Sequence, residues 1–198
     1  MSARKFLLID PAKPEGPDNP HTRTRIQDAL IALMAEGEQL NHDRVAERAR
    51  VSRRTVYRYF PDQTALRAGA WERMGPEGGI PDSLDALITA LPDRFAKWDE
   101  KADAMTVALA SAEGRAIRNV KKPQRVAAYR KMLDAATAHL PEPRRTQAIA
   151  AIQFASSSFA WREMRDQWGL DAEGIAAACK WLVETLVRDL ETGGGPEG

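Results

Sequence analysis

Residues 41–60 read NHDRVAERARVSRRTVYRYF, from Asn41 to Phe60, and their order of residue types decides the fold. Asn41 is a good N-cap for a short helix that turns Val45, Ala46 and Ala49 inward. After Arg50 and Val51, Ser52 is placed to cap a second short helix, Arg53 to Tyr59, with Val56 and Phe60 facing the core. Small Ala46 allows the two helices to pack closely, and Val45, Val51 and Val56 supply their shared apolar contact. Two short helices joined by a tight turn form a helix-turn-helix layout. The stretch also carries Arg44, Arg48, Arg50, Arg53, Arg54 and Arg58 against Asp43 and Glu47. That is +4 within a chain whose formal net charge is +1. Arginine forks match guanine edges at about 1–3 kcal/mol per good bidentate pair, and the hydroxyls of Thr55 and Tyr57 suit phosphate oxygens. A solvated arginine face on an ordinary helix pair has the same composition, so charge alone leaves both readings open.

Upstream, Ile26, Ala29, Leu30, Leu33 and Met34 fall at i, i+3, i+4, i+7 and i+8, one face of an amphipathic helix that Gly37 ends as a left-handed cap. Residues 1–20 hold Pro11, Pro14, Pro17 and Pro20, a composition expected to form a flexible extension. Downstream, Pro61 and Asp62 close the motif and a further helix is expected over Gln63 to Met74. Residues 75–81, GPEGGIP, then break the pattern and are read as a linker. The stripe Leu84, Leu87, Ile88 and Leu91 follows, with a kink expected at Pro92. Further helices are expected from Lys101 to Arg118, from Pro123 through Val126, Tyr129, Leu133 and Leu140, and from Pro143 without interruption to Gly169. Asp171 caps the last, with the stripe Ile175, Cys179, Leu182, Leu186 and Leu190, before a disordered tail at 193–198. No segment alternates with the period of two that a strand requires. The expected fold is all-α: a three-helix helix-turn-helix domain over 21–74 and a helical-bundle domain over 82–192.

Length and composition agree with a globular protein. The chain has 198 residues, 43% of them hydrophobic and 29% charged. No apolar run reaches the roughly 18 residues of a membrane span, and Phe6 to Ile9 is too short for a signal-peptide core, so a cytoplasmic location is expected. The single cysteine, Cys179, excludes an internal disulfide and a cysteine-based zinc site. His21, His42 and His139 show no metal-ligand spacing. There is no glycine-rich phosphate loop and no Gly-x-Ser-x-Gly elbow, so no enzyme activity, metal or cofactor is expected.

The stretch VAERARVSRRTVYRYFPDQTAL, preceded by a helix ending at Gly37, resembles the DNA-binding domain of TetR-family transcriptional regulators. The resemblance covers roughly Thr22 to Ala70. It implies that the third helix is the recognition helix, with Arg53, Arg54, Thr55, Tyr57 and Tyr59 touching bases and phosphates. Asn41 and His42 would touch the DNA backbone, and Arg44 is added from its charge. Three positions differ from the family pattern. Arg50 replaces a turn glycine, where a left-handed non-glycine residue costs about 1–2 kcal/mol. Gln63 replaces a phosphate-holding lysine, and Asp43 stands where a basic or polar contact is usual.

The resemblance further implies a body that dimerises through its last two helices and often binds a small molecule. Ala155 to Ser158 and Ala176 to Ala178 would permit close helix approach across such a dimer. Phe95, Trp98, Met105, Tyr129, Met132, Phe154, Trp161 and Met164 are pocket candidates for a small apolar or aromatic effector. The same side chains also suit a plain core, and no cationic cluster in this region identifies a ligand charge. The function implied is a homodimeric, ligand-responsive repressor on a palindromic operator. A helical dimeric interaction module without specific DNA binding is the alternative.

Overall fold

A computed structural model describes residues 20–75 and 79–197. Among these residues the chain is all-α, with no strand. The helices are α1 Pro20–Ala35, α2 His42–Ala49, α3 Arg53–Tyr59, α4 Gln63–Met74, α5 Leu84–Thr89, α6 Leu91–Asp99, α7 Ala102–Ala110, α8 Ala112–Asn119, α9 Lys122–Met132, α10 Arg144–Ala155, α11 Ser158–Trp168 and α12 Ala172–Glu191. The extension assigned to residues 1–20 lies outside the described residues except for Pro20, which opens α1. The proposed linker is described only in part.

The head, α1 to α4, assembles through its caps. Asn41, Ser52 and Asp62 each accept a hydrogen bond from a backbone N–H in the first turn of the helix that follows. The α1 stripe is buried in full, from Ile26 to Met34. Gly37 ends α1 at φ 74°, and Gly37 and Glu38 donate to the carbonyls of Met34 and Leu33. Phe60 is buried with its ring on Gly69 of α4. A Cβ at that glycine would lie 2.4 Å from Phe60 Cε1, so close approach requires the missing side chain. Arg23 and Gln27 of α1 both reach Glu72 of α4, at 2.7 and 3.1 Å.

One apolar cluster then runs from the head into the body. Ile26, Leu30, Leu66 and Ala70 share it with Leu91, Phe95, Trp98, Met105, Trp161, Ile175 and Cys179. Burying each large member contributes about 1.5–3 kcal/mol. A second cluster lies farther from the head, around Leu87, Leu133, Ile152, Val183 and Leu190. The C-terminal end of α4 is tied to the body as well. Trp98 Nε1 donates to the Met74 carbonyl at 3.3 Å, and Lys101 Nζ donates to the Arg73 carbonyl at 2.7 Å.

Several body elements differ from the sequence expectation. The helix expected from Lys101 to Arg118 breaks at Ser111, which turns extended and accepts from Gly114 N to cap α8. The segment expected to be one helix from Pro143 to Gly169 breaks at Ser156 and Ser157, where Ser157 caps α11. In both places a serine competes with the helix by bonding nearby backbone. The Pro123 helix ends at Met132, short of Leu140, and its Val126 is exposed. On α12 the buried line is Ile175, Cys179, Val183, Val187 and Leu190, while Leu182 and Leu186 flank it. The terminal glycines fold back on the body instead of leading away. His139 Nε2 donates to the Gly194 carbonyl at 2.8 Å, and Arg144 Nε donates to that of Pro196.

Candidate nucleic-acid interface and internal cavity

The helix pair α2–α3 presents one solvent-facing surface. Its turn is made by Arg50, the one described non-glycine residue with positive φ, at φ 52° and ψ 48°. The Arg50 and Val51 N–H groups close on the carbonyls of Glu47 and Ala46, and Arg25 Nη2 donates to the carbonyls of Ala49 and Arg50 at 2.8 and 3.1 Å. The turn keeps the left-handed geometry expected of glycine, and Arg25 of α1 braces it.

Arg53, Arg54 and Tyr57 of α3 are exposed and share the outer face of that helix. Arg53 Nε lies 3.2 Å from Asp43 Oδ1, and Arg53 Nη2 donates to Tyr57 Oη at 3.3 Å. Those two partners, the tyrosine first, raise the Arg53 guanidinium above its ordinary range. Asp43 therefore orients an arginine on this surface, which offsets the repulsion its charge implies for a phosphate. Arg54 has no ion-pair partner among the described residues. Thr55 is half-buried, its Oγ1 bonded to Ser52 Oγ at 2.8 Å.

Other predicted contact residues take different places. Asn41 is committed to its cap, with Oδ1 accepting from Arg44 N at 2.9 Å. His42 is buried beneath α3. Its Nε2 donates to the Phe60 carbonyl at 2.8 Å, and its ring stacks on Tyr57, 3.9 Å between centroids and 5° from parallel. It sets the position of Tyr57, itself 40% exposed. Arg44 is ion-paired with Glu38, and Tyr59 packs partly into the core with Arg58 over its ring. Gln63 turns inward, donating to the Leu40 carbonyl at 2.8 Å and to Glu113 at 3.3 Å.

The body holds a cavity of about 330 Å³ between α4, α6, α7, α8, α9 and the α10–α11 break. Trp98, Met105, Tyr129 and Phe154 of the predicted set line it. Phe95 and Trp161 are fully buried in the core, and Trp161 Nε1 donates to Asp99 Oδ1 at 2.9 Å. Met132 and Met164 pack against the two apolar clusters away from the cavity. Trp71, Ile117 and Phe159 complete much of the apolar wall.

Sequence reasoning missed the cavity's charge. Arg94, Arg118 and Arg125 all line it, and no carboxylate does among the described residues. Arg94 is 7% exposed, with Nη1 3.5 Å from the Ser156 carbonyl and a buried Nε that has no hydrogen-bond partner. Burial holds its guanidinium below the ordinary value, against an opposing contribution from Tyr129. Arg118 and Arg125 are lowered for the same first reason, and Arg118 further by Arg125 itself. Arg118 lies over the Phe159 ring at 4.3 Å, while Arg125 lies over Trp71 at 5.7 Å. Tyr129 Oη and Ser156 Oγ are joined at 2.7 Å.

Glu113 of α8 connects this region to the head. Its carboxylate accepts from Arg67 Nε and Nη2 at 2.9 and 3.1 Å, in addition to Gln63. No helix among the described residues is long and apolar enough to cross a membrane, and no group of three or more potential metal ligands occurs among them. In comparisons with known proteins, no family model matches the chain, and no curated protein does. Among solved structures, a TetR transcriptional regulator from Rhodococcus sp. RHA1 aligns over 86% of this chain and 98% of that one, with a TM-score of 0.49 and 22% identity.

Proposed function

We propose that this chain is a sequence-specific DNA-binding regulator of transcription, a repressor that acts as a homodimer on a palindromic operator in the cytoplasm. The observation that carries the reading is the outer face of α3. Arg53, Arg54 and Tyr57 stand exposed at the start of a helix held by a capped turn, the arrangement with which a recognition helix enters the major groove. His42 and Asp43 hold two of these side chains from below and beside.

Dimerisation through α11 and α12 is supported by their unburied aromatics. Trp168 is 76% exposed and Trp181 71%, with Phe159 and Leu170 also exposed nearby in the chain. Large apolar side chains on an otherwise charged surface mark interaction sites, and tryptophan is enriched at interface centres. Two heads joined in this way would read two half-sites about one helical turn apart.

Release from DNA follows from differential binding. A small molecule in the body cavity touches α8 at Ile117 and Arg118, and Glu113 of the same helix grips Arg67 and Gln63 of α4. A ligand that fits one placement of α8 better than another shifts the head through that grip. The competing reading, a dimeric interaction module without specific DNA binding, draws on one observation: Arg44 and Arg48 are already paired with Glu38 and Glu36. Selection of random duplex DNA on the purified protein separates the two. The regulator enriches a palindrome, its binding weakens steeply with salt through counterion release, and Tyr57→Ala abolishes the enrichment. No enriched sequence leaves the interaction module.

A further inference from the structure

Arg94 is a cation buried in the body without a counterion among the described residues. It is 93% buried by its 7% exposure, its Nε–H has no acceptor among the described residues, and the polar groups beside it are the Ser156 carbonyl and the Tyr129 hydroxyl, neither of them a carboxylate. A guanidinium in such a place costs several kcal/mol unless a partner satisfies it. Arg118 and Arg125 bring two more positive charges to the same wall, and they repel one another. The rest of the lining is aromatic or aliphatic, with Trp98, Met105 and Ile117 among it. A cavity of about 330 Å³ lies at the small end of the roughly 300–1,000 Å³ usual for ligand pockets.

We propose that the cavity is the binding site of a small organic carboxylate, with its anionic head on Arg94, Arg118 and Arg125 and its apolar body against Trp98, Met105 and Ile117. The carboxylate offers two planar acceptors to the planar guanidinium fork, and in a desolvated cavity such a charge-assisted pair is at its strongest. Tyr129 and Ser156, hydrogen-bonded to each other, stand beside Arg94 as further polar partners. A neutral ligand would leave Arg94 uncompensated. A dianionic phosphate ester carries a larger hydration cost into the same apolar walls. The assignment deepens the ligand-responsive reading above and rests on it only for the consequence at DNA.

The test uses the full chain without DNA, so that failure of operator recognition leaves its result intact. Binding of benzoate, phenylacetate, cinnamate, 1-naphthoate and octanoate is measured by calorimetry beside their primary amides and phenyl phosphate. At least one acid is expected to bind ten-fold or more tightly than its amide. Arg94→Met is expected to remove that preference, weakening the acid at least ten-fold while leaving amide binding within about threefold. The same variant, free of ligand, is expected to melt no lower than the parent, because an unpaired buried charge has been replaced by an apolar chain of similar length. Equal affinity of acids and amides, binding of no acid in the set, binding of phenyl phosphate alone, or an acid preference that survives Arg94→Met would each overturn the proposal. An Arg94→Lys variant guards against a merely structural effect. It keeps the charge but not the fork, and should retain part of the acid preference that Arg94→Met loses. Loss of the preference to the same extent in both variants would also overturn it.

Discussion

Two groups of arginines divide this molecule. On the head, Arg53 and Arg54 stand in solvent on one short helix, and the side chain of Arg53 is 60% exposed beside Asp43. In the body, Arg94, Arg118 and Arg125 come from three different helices and line one cavity. The same side chain is suited to opposite partners by its surroundings. Hydrated guanidiniums suit a long, heavily hydrated polyanion, whose affinity arises largely from released counterions. Partly desolvated guanidiniums with no carboxylate beside them among the described residues suit a small anion that can itself shed water. The position of the charge relative to solvent therefore separates the two roles, where residue type does not.

The strongest test of the head's side of this contrast is Tyr57→Ala. It removes the exposed ring and the support that Tyr57 gives Arg53, and it strips the stack from His42. Gel shift on the selected operator should show a loss on the order of 100-fold, comparable to about 3 kcal/mol of base discrimination, with unchanged helicity by circular dichroism. Arg54→Ala should cost less, about 1–3 kcal/mol, and the salt dependence identifies its partner. A fall of about 0.9 in the log–log salt slope identifies a phosphate contact, whereas relaxed sequence preference identifies a base.

Glu113→Gln tests whether the two arginine groups communicate. Operator affinity without ligand should stay close to that of the parent, while release by a cavity ligand, about 1–3 kcal/mol in coupled systems, should fall. Full release in that variant would separate the cavity from the head. The smallest effect belongs to Arg50→Gly. Relief of left-handed strain, about 1–2 kcal/mol, is partly offset by about 0.5–1 kcal/mol of glycine's extra chain freedom. The melting midpoint should rise by about 2–4 °C or less. A fall would mean that the long arginine side chain, and not only the backbone bonds from Arg25, holds the turn.

Legibility followed the same division. The head could be read because its information is local. Caps at Asn41 and Ser52, the α1 stripe and the exposed positions of α3 all lie within forty residues. Even the buried place of His42 had a signal, since 42, 45, 46 and 49 follow the i, i+3, i+4, i+7 spacing of the buried α2 residues. The body's break at Ser111 was hidden in an alanine-rich run, whereas Ser156 to Ser158 did carry a capping signal that the helical stripes on either side masked. The cavity charge had a local signal at one residue only: Arg94 falls with Leu91, Phe95 and Trp98 on the i, i+3, i+4, i+7 face that α6 buries. What the sequence could not show is that Arg118 and Arg125, from two other helices, line the same cavity, because only packing brings α6, α8 and α9 together.

Gly114 determines where this cavity is free to change. A Cβ there would come within 2.0 Å of the Ala108 carbonyl oxygen, so main chain meets main chain where α7 and α8 cross. At that crossing there is no side chain to trim, and bulk added at residue 114 drives the helices apart. The stretch Gln153 to Phe159 lines the cavity with side chains around the α10–α11 break. Ligand size can therefore be retuned away from that crossing, and a directed-evolution library for new specificity belongs at Gln153, Phe154, Ser157 and Phe159, with residue 114 left as glycine.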